Sequence, residues 1–144
     1  MEEHSSSAIE RFFQAFELNR QSGDLPAIVS QFADVFLAVG PQGAQCIRGS
    51  DFALALPKRK QLFDSLGCQF TALASLNEIQ LDARFVMART QWKMTFAHGS
   101  GREQDILADS TFIIDTGAVD FKIVFYLNTQ DILELLKDRG IQPY

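Results

Sequence analysis

The segment from Val86 to Phe96 decides the fold, and it reads VMARTQWKMTF. Every second residue from Val86 through Trp92 to Phe96 is apolar or Thr, whereas the residues between them are mostly polar or charged. A period of two predicts a β-strand with two unlike faces. We therefore expect this segment to be a central strand with the Trp92 side facing the interior.

Two further strands are predicted after this segment and one before it. Residues 105–115 and 119–127 have strand-like patterns and follow short turns rich in Gly and Ser, and residues 69–80 form the preceding long strand. Tight turns join antiparallel neighbours, so these segments predict a meander that curves into a sheet.

The chain before the meander predicts helices that cover one face of the sheet. Ser7 has the capping-box spacing to Glu10 at the start of the first helix, Gly23 ends it, and Asp24 caps a second, short helix. The apolar face of the first helix contains Ile9, Phe12, Phe13 and Phe16.

Short strands at 35–39 and 46–48 precede a third helix that starts at Ser50 or Asp51. We expect this helix to break at Pro57, because proline removes a backbone hydrogen bond. After the meander, Asn128 or Thr129 caps a terminal helix that Gly140 ends, with Ile141 completing a Schellman motif.

Size and composition predict a single domain over residues 1–144, with a frayed tail at 1–6. The net charge of −5 argues against nucleic-acid binding, and no apolar run reaches the roughly 20 residues that cross a bilayer. The polar N-terminus does not predict a signal peptide, so we expect a cytoplasmic protein without a membrane partner. Cys46 and Cys68 match no metal spacing and predict buried free thiols, with no metal and no cofactor.

Three motifs resemble the nuclear transport factor 2-like superfamily, which includes SnoaL-like polyketide cyclases and ketosteroid isomerases. They are SGDLPAIVSQFAD at 22–34, IRG at 47–49 and DTGAV at 115–119, and the order of the elements is also similar. The resemblance implies an α+β fold in which a curved antiparallel sheet wraps around three N-terminal helices and forms a cone with an apolar pocket. The C-terminal helix completes it.

The resemblance does not carry over the residues of isomerase catalysis. The general-base Asp of the isomerases stands before a Pro, and here that position is Gly40, before Pro41. Phe residues occupy the first helix where the isomerases have their oxyanion-hole Tyr. Asp109 alone matches a catalytic position, that of a protonated Asp, so it is the candidate catalytic residue.

Strand register decides which side chains face the pocket. A two-residue turn at 100–101 places Asp109 opposite Trp92, whereas a three-residue loop would turn Asp109 to the other face. With two-residue turns here and at 116–117, the predicted ligand pocket contains Phe12, Phe16, Phe36, Thr90, Trp92, Met94, Leu107, Asp109, Thr111, Lys122, Val124 and Tyr126. The predicted dimer interface on the opposite face contains Phe112, Ile114, Phe121, Ile123 and Phe125.

Three functions are compatible with these patterns. The first is binding of a small apolar molecule without isomerase chemistry. The second is a SnoaL-like cyclase, isomerase or dehydratase in which Asp109 acts as acid or base. The third is an interaction module, a homodimer formed through the sheet face around a filled cone. Asp109 is equally compatible with a surface carboxylate, and Trp92 and Tyr126 with core positions.

Overall fold

The computed structural model describes residues 7–97, 102–128 and 130–141. The helices are α1 (Ala8–Ser22), α2 (Leu25–Ser30), α3 (Gly49–Ser65) and α4 (Ile132–Asp138). The strands are β1 (Phe32–Gly40), β2 (Gly43–Arg48), β3 (Cys68–Gln80), β4 (Phe85–Ala97), β5 (Glu103–Asp115) and β6 (Lys122–Asn128). Together they form the α+β architecture that the sequence predicts.

One curved, unclosed sheet contains the six strands in the order β2-β1-β6-β5-β4-β3. Neighbouring strands are antiparallel except β1 and β6, which run parallel. The long β3, β4 and β5 form the predicted meander, and β6 returns beside β1 so that the N-terminal hairpin joins the same sheet. The helices therefore have one concave face to cover.

The helix ends largely confirm the predicted caps. Ser7 Oγ accepts from Glu10 N–H at 3.0 Å, and Asp24 Oδ1 accepts from Ala27 N–H at 3.2 Å. Gly23 adopts φ 72° at the end of α1, a conformation that glycine tolerates best.

The end of α4 is the predicted Schellman motif, since Ile141 N–H donates to Leu136 O and Gly140 N–H to Lys137 O. Two expectations were wrong. Asp131, and not Asn128, caps α4, and α3 continues through Pro57 as one helix of 17 residues. Thr129, the alternative cap, lies outside the described residues.

Two separate hydrophobic clusters fill the space between helices and sheet. The Phe13 cluster joins α1, α2 and β1 to parts of β4, β5 and β6. The Leu136 cluster joins α4 and the end of α3 to the other parts of β4 and β5. On β4 the boundary falls between Trp92, in the first cluster, and Met94, in the second.

The predicted register between β4 and β5 was wrong by one residue. Trp92 pairs with Ala108 and Gln91 with Asp109, and the pairing extends to Ala97 and Glu103. Residues 98–102 thus separate the two strands. Because this connection has an odd number of residues, whereas the prediction assumed a two-residue turn, the faces of β5 are the reverse of those predicted. Residues 98–101 themselves lie outside the described residues.

The reversal changes the predicted dimer interface. Phe112 and Ile114 are 1% and 0% exposed, because they lie in the Phe13 cluster beneath the helices. Ile123 is also fully buried there, since the register between β5 and β6 shifts at Val124 and turns Ile123 inward. Phe121 packs against the same cluster, so only Phe125 lies on the outer face.

A row of apolar residues crosses the outer face of the sheet. Phe125 pairs with Leu37 on one side and Ile113 on the other. The remaining pairs extend this row to both edges of the sheet through Cys46, Met87 and Ile79. We call these six residues the outer row. Its first member, Cys46, is exposed, which corrects the prediction of a buried thiol.

Candidate ligand site at the boundary of the two clusters

Polar side chains cross the concave face of β4, β5 and β6. Thr90 pairs with Ser110, and Ser110 pairs with Asn128. Thr90 Oγ1 donates to Ser110 O at 2.9 Å, and Ser110 Oγ donates to Asn128 Oδ1 at 3.0 Å. Thr90 and Ser110 are buried, so these hydrogen bonds replace the hydrogen bonds to water that the side chains lose on folding.

Trp92 connects this polar row to the aromatic cluster. Its Nε1–H donates to Thr90 Oγ1 at 2.8 Å, and its ring centroid lies 5.8 Å from that of Phe16. Trp92 is 4% exposed, which confirms the predicted inward face of β4. The ring is therefore held by a hydrogen bond at its edge and by packing on its face.

Arg20 adds a positive charge beside these rings. Its guanidinium carbon lies 5.8 Å from the ring centroid of Phe16 and 5.8 Å from that of Trp92. These distances are within the range of cation–π attraction. Phe13, Phe16 and Arg20 follow one another at helical spacing, so the cation continues the apolar face of α1.

Two neighbours of Arg20 hold this part of α1 on β3. Glu17 accepts a hydrogen bond from Leu73 N–H through its carboxylate, and Gln21 Nε2 donates to Thr71 O at 3.4 Å. These bonds fix the last turns of α1 and so direct Arg20 toward Trp92.

Arg20 is exposed, and no described residue neutralises its charge. Arg20 keeps contact with solvent, yet desolvation by the surrounding protein is the largest cause that lowers the pKa of its guanidinium. Tyr126 raises this pKa and the charge of Arg59 lowers it. Within the described parts of the chain, Arg20 makes no ion pair. An arginine at this position remains charged at neutral pH.

Helix α3 brings two more cations to the same boundary. The guanidinium carbon of Arg59 lies 4.9 Å from the ring centroid of Phe63, in the Leu136 cluster. Lys60 Nζ pairs with Asp64 Oδ2 at 2.8 Å, and this pair is largely neutral. A Cβ at Gly23 would lie only 3.3 Å from Lys60 Cε, so the end of α1 approaches α3 closely.

Cys68, at the start of β3, lies at the edge of this region. Its Sγ is 4.0 Å from Thr71 Oγ1, and the thiol packs against the Leu136 cluster. Burial raises the pKa of the Cys68 thiol, while the hydrogen bond to Thr71 and the charge of Arg20 act in the opposite direction. We name the set Arg20, Thr90, Trp92, Ser110, Tyr126 and Asn128 the Arg20 site.

The structure brings together only part of the predicted pocket. Thr90, Trp92 and Tyr126 belong to the Arg20 site, and Phe16 packs beside it. Three others pack in or against the hydrophobic clusters and make no described contact with Arg20: Phe12, Phe36 and Met94. Lys122 donates through Nζ to Ser30 O, and Val124 lies at the register shift of β6.

The remaining predicted pocket residues lie on the outer face of the sheet. Leu107 is 51% exposed, Thr111 is half-buried, and Asp109 is exposed and accepts from Gln91 Nε2 at 3.3 Å. These three side chains face outward because the faces of β5 are reversed relative to the prediction. Asp109 therefore does not contact the Arg20 site, and the prediction that it faces the pocket was wrong.

Sequence reasoning missed Arg20, Ser110 and Asn128. Arg20 follows Phe16 by four residues, so a cation on the apolar face of α1 was a usable signal. Ser110 and Asn128 gave no such signal, because their position depends on the register of β5.

The cavities described for this chain lie away from the Arg20 site. One of about 500 Å³ is lined by Val29, Asp34, Val35, Arg48, Gly49, Ser50 and Ala53. Another of about 290 Å³ lies between α1 and β3. Among the described residues, no group of three or more His, Cys, Asp or Glu side chains could hold a metal ion. No helix in the same residues is long and apolar enough to cross a membrane.

This arrangement of elements defines an NTF2-like fold, in which a curved, unclosed sheet is covered by N-terminal helices and followed by a C-terminal helix. The superfamily resemblance seen in the sequence is thereby confirmed at the level of the fold. No protein-family model and no curated protein sequence matches the chain.

Solved structures with this fold resemble the chain over most of its length. An NTF-2 like protein of unknown function from Shewanella oneidensis has 13% identity and a TM-score of 0.69, covering 85% of this chain and 96% of that one. A ketosteroid isomerase-like protein from Erwinia carotovora atroseptica has 17% identity and a TM-score of 0.63, covering 84% and 92%. The β subunit of a benzoate 1,2-dioxygenase from Burkholderia mallei has 14% identity and a TM-score of 0.66, covering 94% and 96%. At these identities the likeness establishes the fold alone.

Proposed function

We propose that this chain binds a small, largely apolar molecule at the Arg20 site and performs no isomerase chemistry. One observation carries the proposal: the guanidinium of Arg20 rests against Phe16 and Trp92 and has no acidic partner among the described residues. A cation that is held against aromatic rings and has no described counter-charge can anchor a polar group of a ligand, so it favours a binding role.

The residues near Arg20 also argue against proton abstraction. A general base must be within hydrogen-bond reach of the substrate, and Asp109 lies on the opposite face of the sheet. Gly40 occupies the position of the isomerase base. In the part of the chain that the structure describes, the ionisable groups that affect the pKa of Arg20 are Tyr126, Arg59 and Cys68, and none of them is a carboxylic acid.

The chain contains its own reporters for a binding experiment. Trp92 is the only tryptophan in the chain, and Cys68 lies at the edge of the site whereas Cys46 is on the exposed edge strand β2. We expect an apolar ligand such as 2-naphthamide to change Trp92 fluorescence saturably and to slow iodoacetamide labelling of Cys68 but not of Cys46. If a series of such ligands alters neither reporter, the proposal is wrong.

We also propose that a second copy of this chain covers the outer row. The row runs across all six strands, and other outer-face residues are highly exposed, with Val35 at 55% and Leu107 at 51%. Extended apolar surface of this kind favours association, because its burial gains roughly 25 cal/mol per Å². A self-complementary contact of two sheets fits this geometry.

Two substitutions on neighbouring positions of β6 test this contact. Phe125→Lys should give a folded monomer, since the charge lies on the outer face, whereas Ile123→Lys should unfold the chain, since Ile123 is 0% exposed. Light scattering after size-exclusion chromatography measures the mass, and circular dichroism measures the fold. A wild-type chain that remains monomeric at high concentration would contradict the proposal.

A further inference from the structure

We infer that the molecule bound at the Arg20 site is an organic acid, with a carboxylate held by Arg20 and a flat apolar body stacked on the exposed guanidinium groups of Arg20 and Arg59. This inference rests on the proposed binding function and names the chemical class of its ligand. The charges, the free hydrogen-bond donors and the rings around the site each support it.

The charge balance at the site is positive, although the whole chain has a net charge of −5. Arg20 and Arg59 influence each other and make no ion pair in the parts of the chain that the structure describes. Lys60 is neutralised by Asp64, so the two arginines are the cations at this boundary that have no ion-pair partner in the described ranges. An anion bound beside them would relieve their mutual repulsion.

The hydrogen-bond donors at the site suit a carboxylate. A guanidinium presents a planar fork of N–H groups that matches two carboxylate oxygens, and no described residue accepts a hydrogen bond from Arg20. Asn128 uses its Oδ1 to accept from Ser110, so its amide N–H groups remain free among the described contacts. The Tyr126 hydroxyl likewise has no described hydrogen-bond partner.

The rings next to these donors indicate the rest of the ligand. Arg20 lies against Phe16 and Trp92, and Arg59 lies against Phe63. These rings are buried, whereas both arginines are exposed, so the guanidinium planes are the surfaces that a ligand can reach. A small inorganic anion would satisfy the charges but leave these planes open, whereas an acid with a flat apolar body would also stack on them.

Matched acids and amides of the same shape separate this inference from the binding function itself. The probes are benzoate and benzamide, 2-naphthoate and 2-naphthamide, and inorganic phosphate and acetate as anions without an apolar body. Isothermal titration and Trp92 fluorescence measure each affinity. We expect at least one aromatic acid to bind about tenfold or more tightly than its amide, and phosphate and acetate to bind more weakly than that acid.

Substitutions assign this preference to Arg20. Arg20→Met keeps the apolar stem and should remove the preference for acids, leaving acid and amide with similar affinities. Arg20→Lys keeps the charge but loses the planar fork, so it should restore only part of the preference. Arg89→Met is the matched control, because Arg89 lies on the same strand as Trp92 but on its outer, exposed side, and it should leave the preference unchanged.

Each outcome has one meaning. Equal binding of acids and amides to the wild-type chain overturns the inference and leaves the binding function standing. Equal binding of phosphate and the aromatic acids also overturns it, since the apolar body would then contribute nothing. A preference that survives Arg20→Met shows that another residue holds the acid. If none of the aromatic probes binds, both the inference and the proposed function are wrong.

Discussion

The Phe13 cluster and the Arg20 site share Trp92 on one sheet face, but the other members of each are held in different ways. In the cluster each ring packs on other rings, as Phe112 does on Phe13, Phe16 and Tyr126 with centroids 5.0 to 5.9 Å apart. At the Arg20 site, hydrogen bonds and a cation replace this packing. Stability and binding should therefore respond to different substitutions, only a few residues apart.

The largest effect is expected from truncation in the Phe13 cluster. Phe112→Ala removes a ring that is 1% exposed and leaves a cavity among its neighbours, so it should lower the free energy of unfolding by about 3–5 kcal/mol. Urea denaturation followed by circular dichroism measures this loss. A loss below about 1 kcal/mol is typical of surface positions and would show that the ring is not part of the core.

A smaller loss is expected where a buried amide joins three elements. Gln31 Nε2 donates to Phe12 O at 3.2 Å, and its Oε1 accepts from Asn19 Nδ2 at 3.1 Å. Its backbone oxygen accepts from Ile123 N–H at 2.8 Å, so Gln31 links α1 to β6.

Gln31→Ala leaves the carbonyl of Phe12 and the amide of Asn19 without these partners, which should cost about 1–3 kcal/mol. Ser30→Ala, next in the chain, is the control. Ser30 Oγ donates only to Ala27 O at 2.7 Å in the described contacts, within α2, and we expect a clearly smaller loss. Equal losses for the two variants would show that the side chain of Gln31 does not stabilise the packing of α1.

The difference between local and long-range features explains which parts of the structure the sequence could predict. Caps and strand periods are local, so Ser7, Gly23 and the inward face of β4 with Trp92 were predictable. The faces of β5 and β6 depend on the length of one connection and on the register shift at Val124, and neither is written in the local pattern. The error therefore moved Asp109 into the predicted site and left Ser110 out of it.

At the Arg20 site, substitutions should change stability little. Arg20→Met keeps the apolar stem and removes only cation–π contacts, which are worth about 0.5–1 kcal/mol at an exposed position. We expect a change in the free energy of unfolding below about 1 kcal/mol, alongside the altered ligand preference. A loss as large as that of Phe112→Ala would assign Arg20 to the structural core instead.

The smallest effect is a difference in reactivity between the two thiols. The thiolate is the species that iodoacetamide attacks, and burial raises the pKa of Cys68, so less of this thiol is ionised at a given pH. Cys68 should therefore react more slowly than the exposed Cys46 in the absence of ligand, and its rate should keep rising between about pH 8 and about pH 10.

Arg20 acts to lower the pKa of Cys68, so Arg20→Met should slow Cys68 further and leave Cys46 unchanged. Mass spectrometry of the labelled peptides gives both rates in one sample. If Arg20→Met does not alter the labelling rate of Cys68, the charge of Arg20 does not influence this thiol, and Cys68 does not lie at the edge of the Arg20 site.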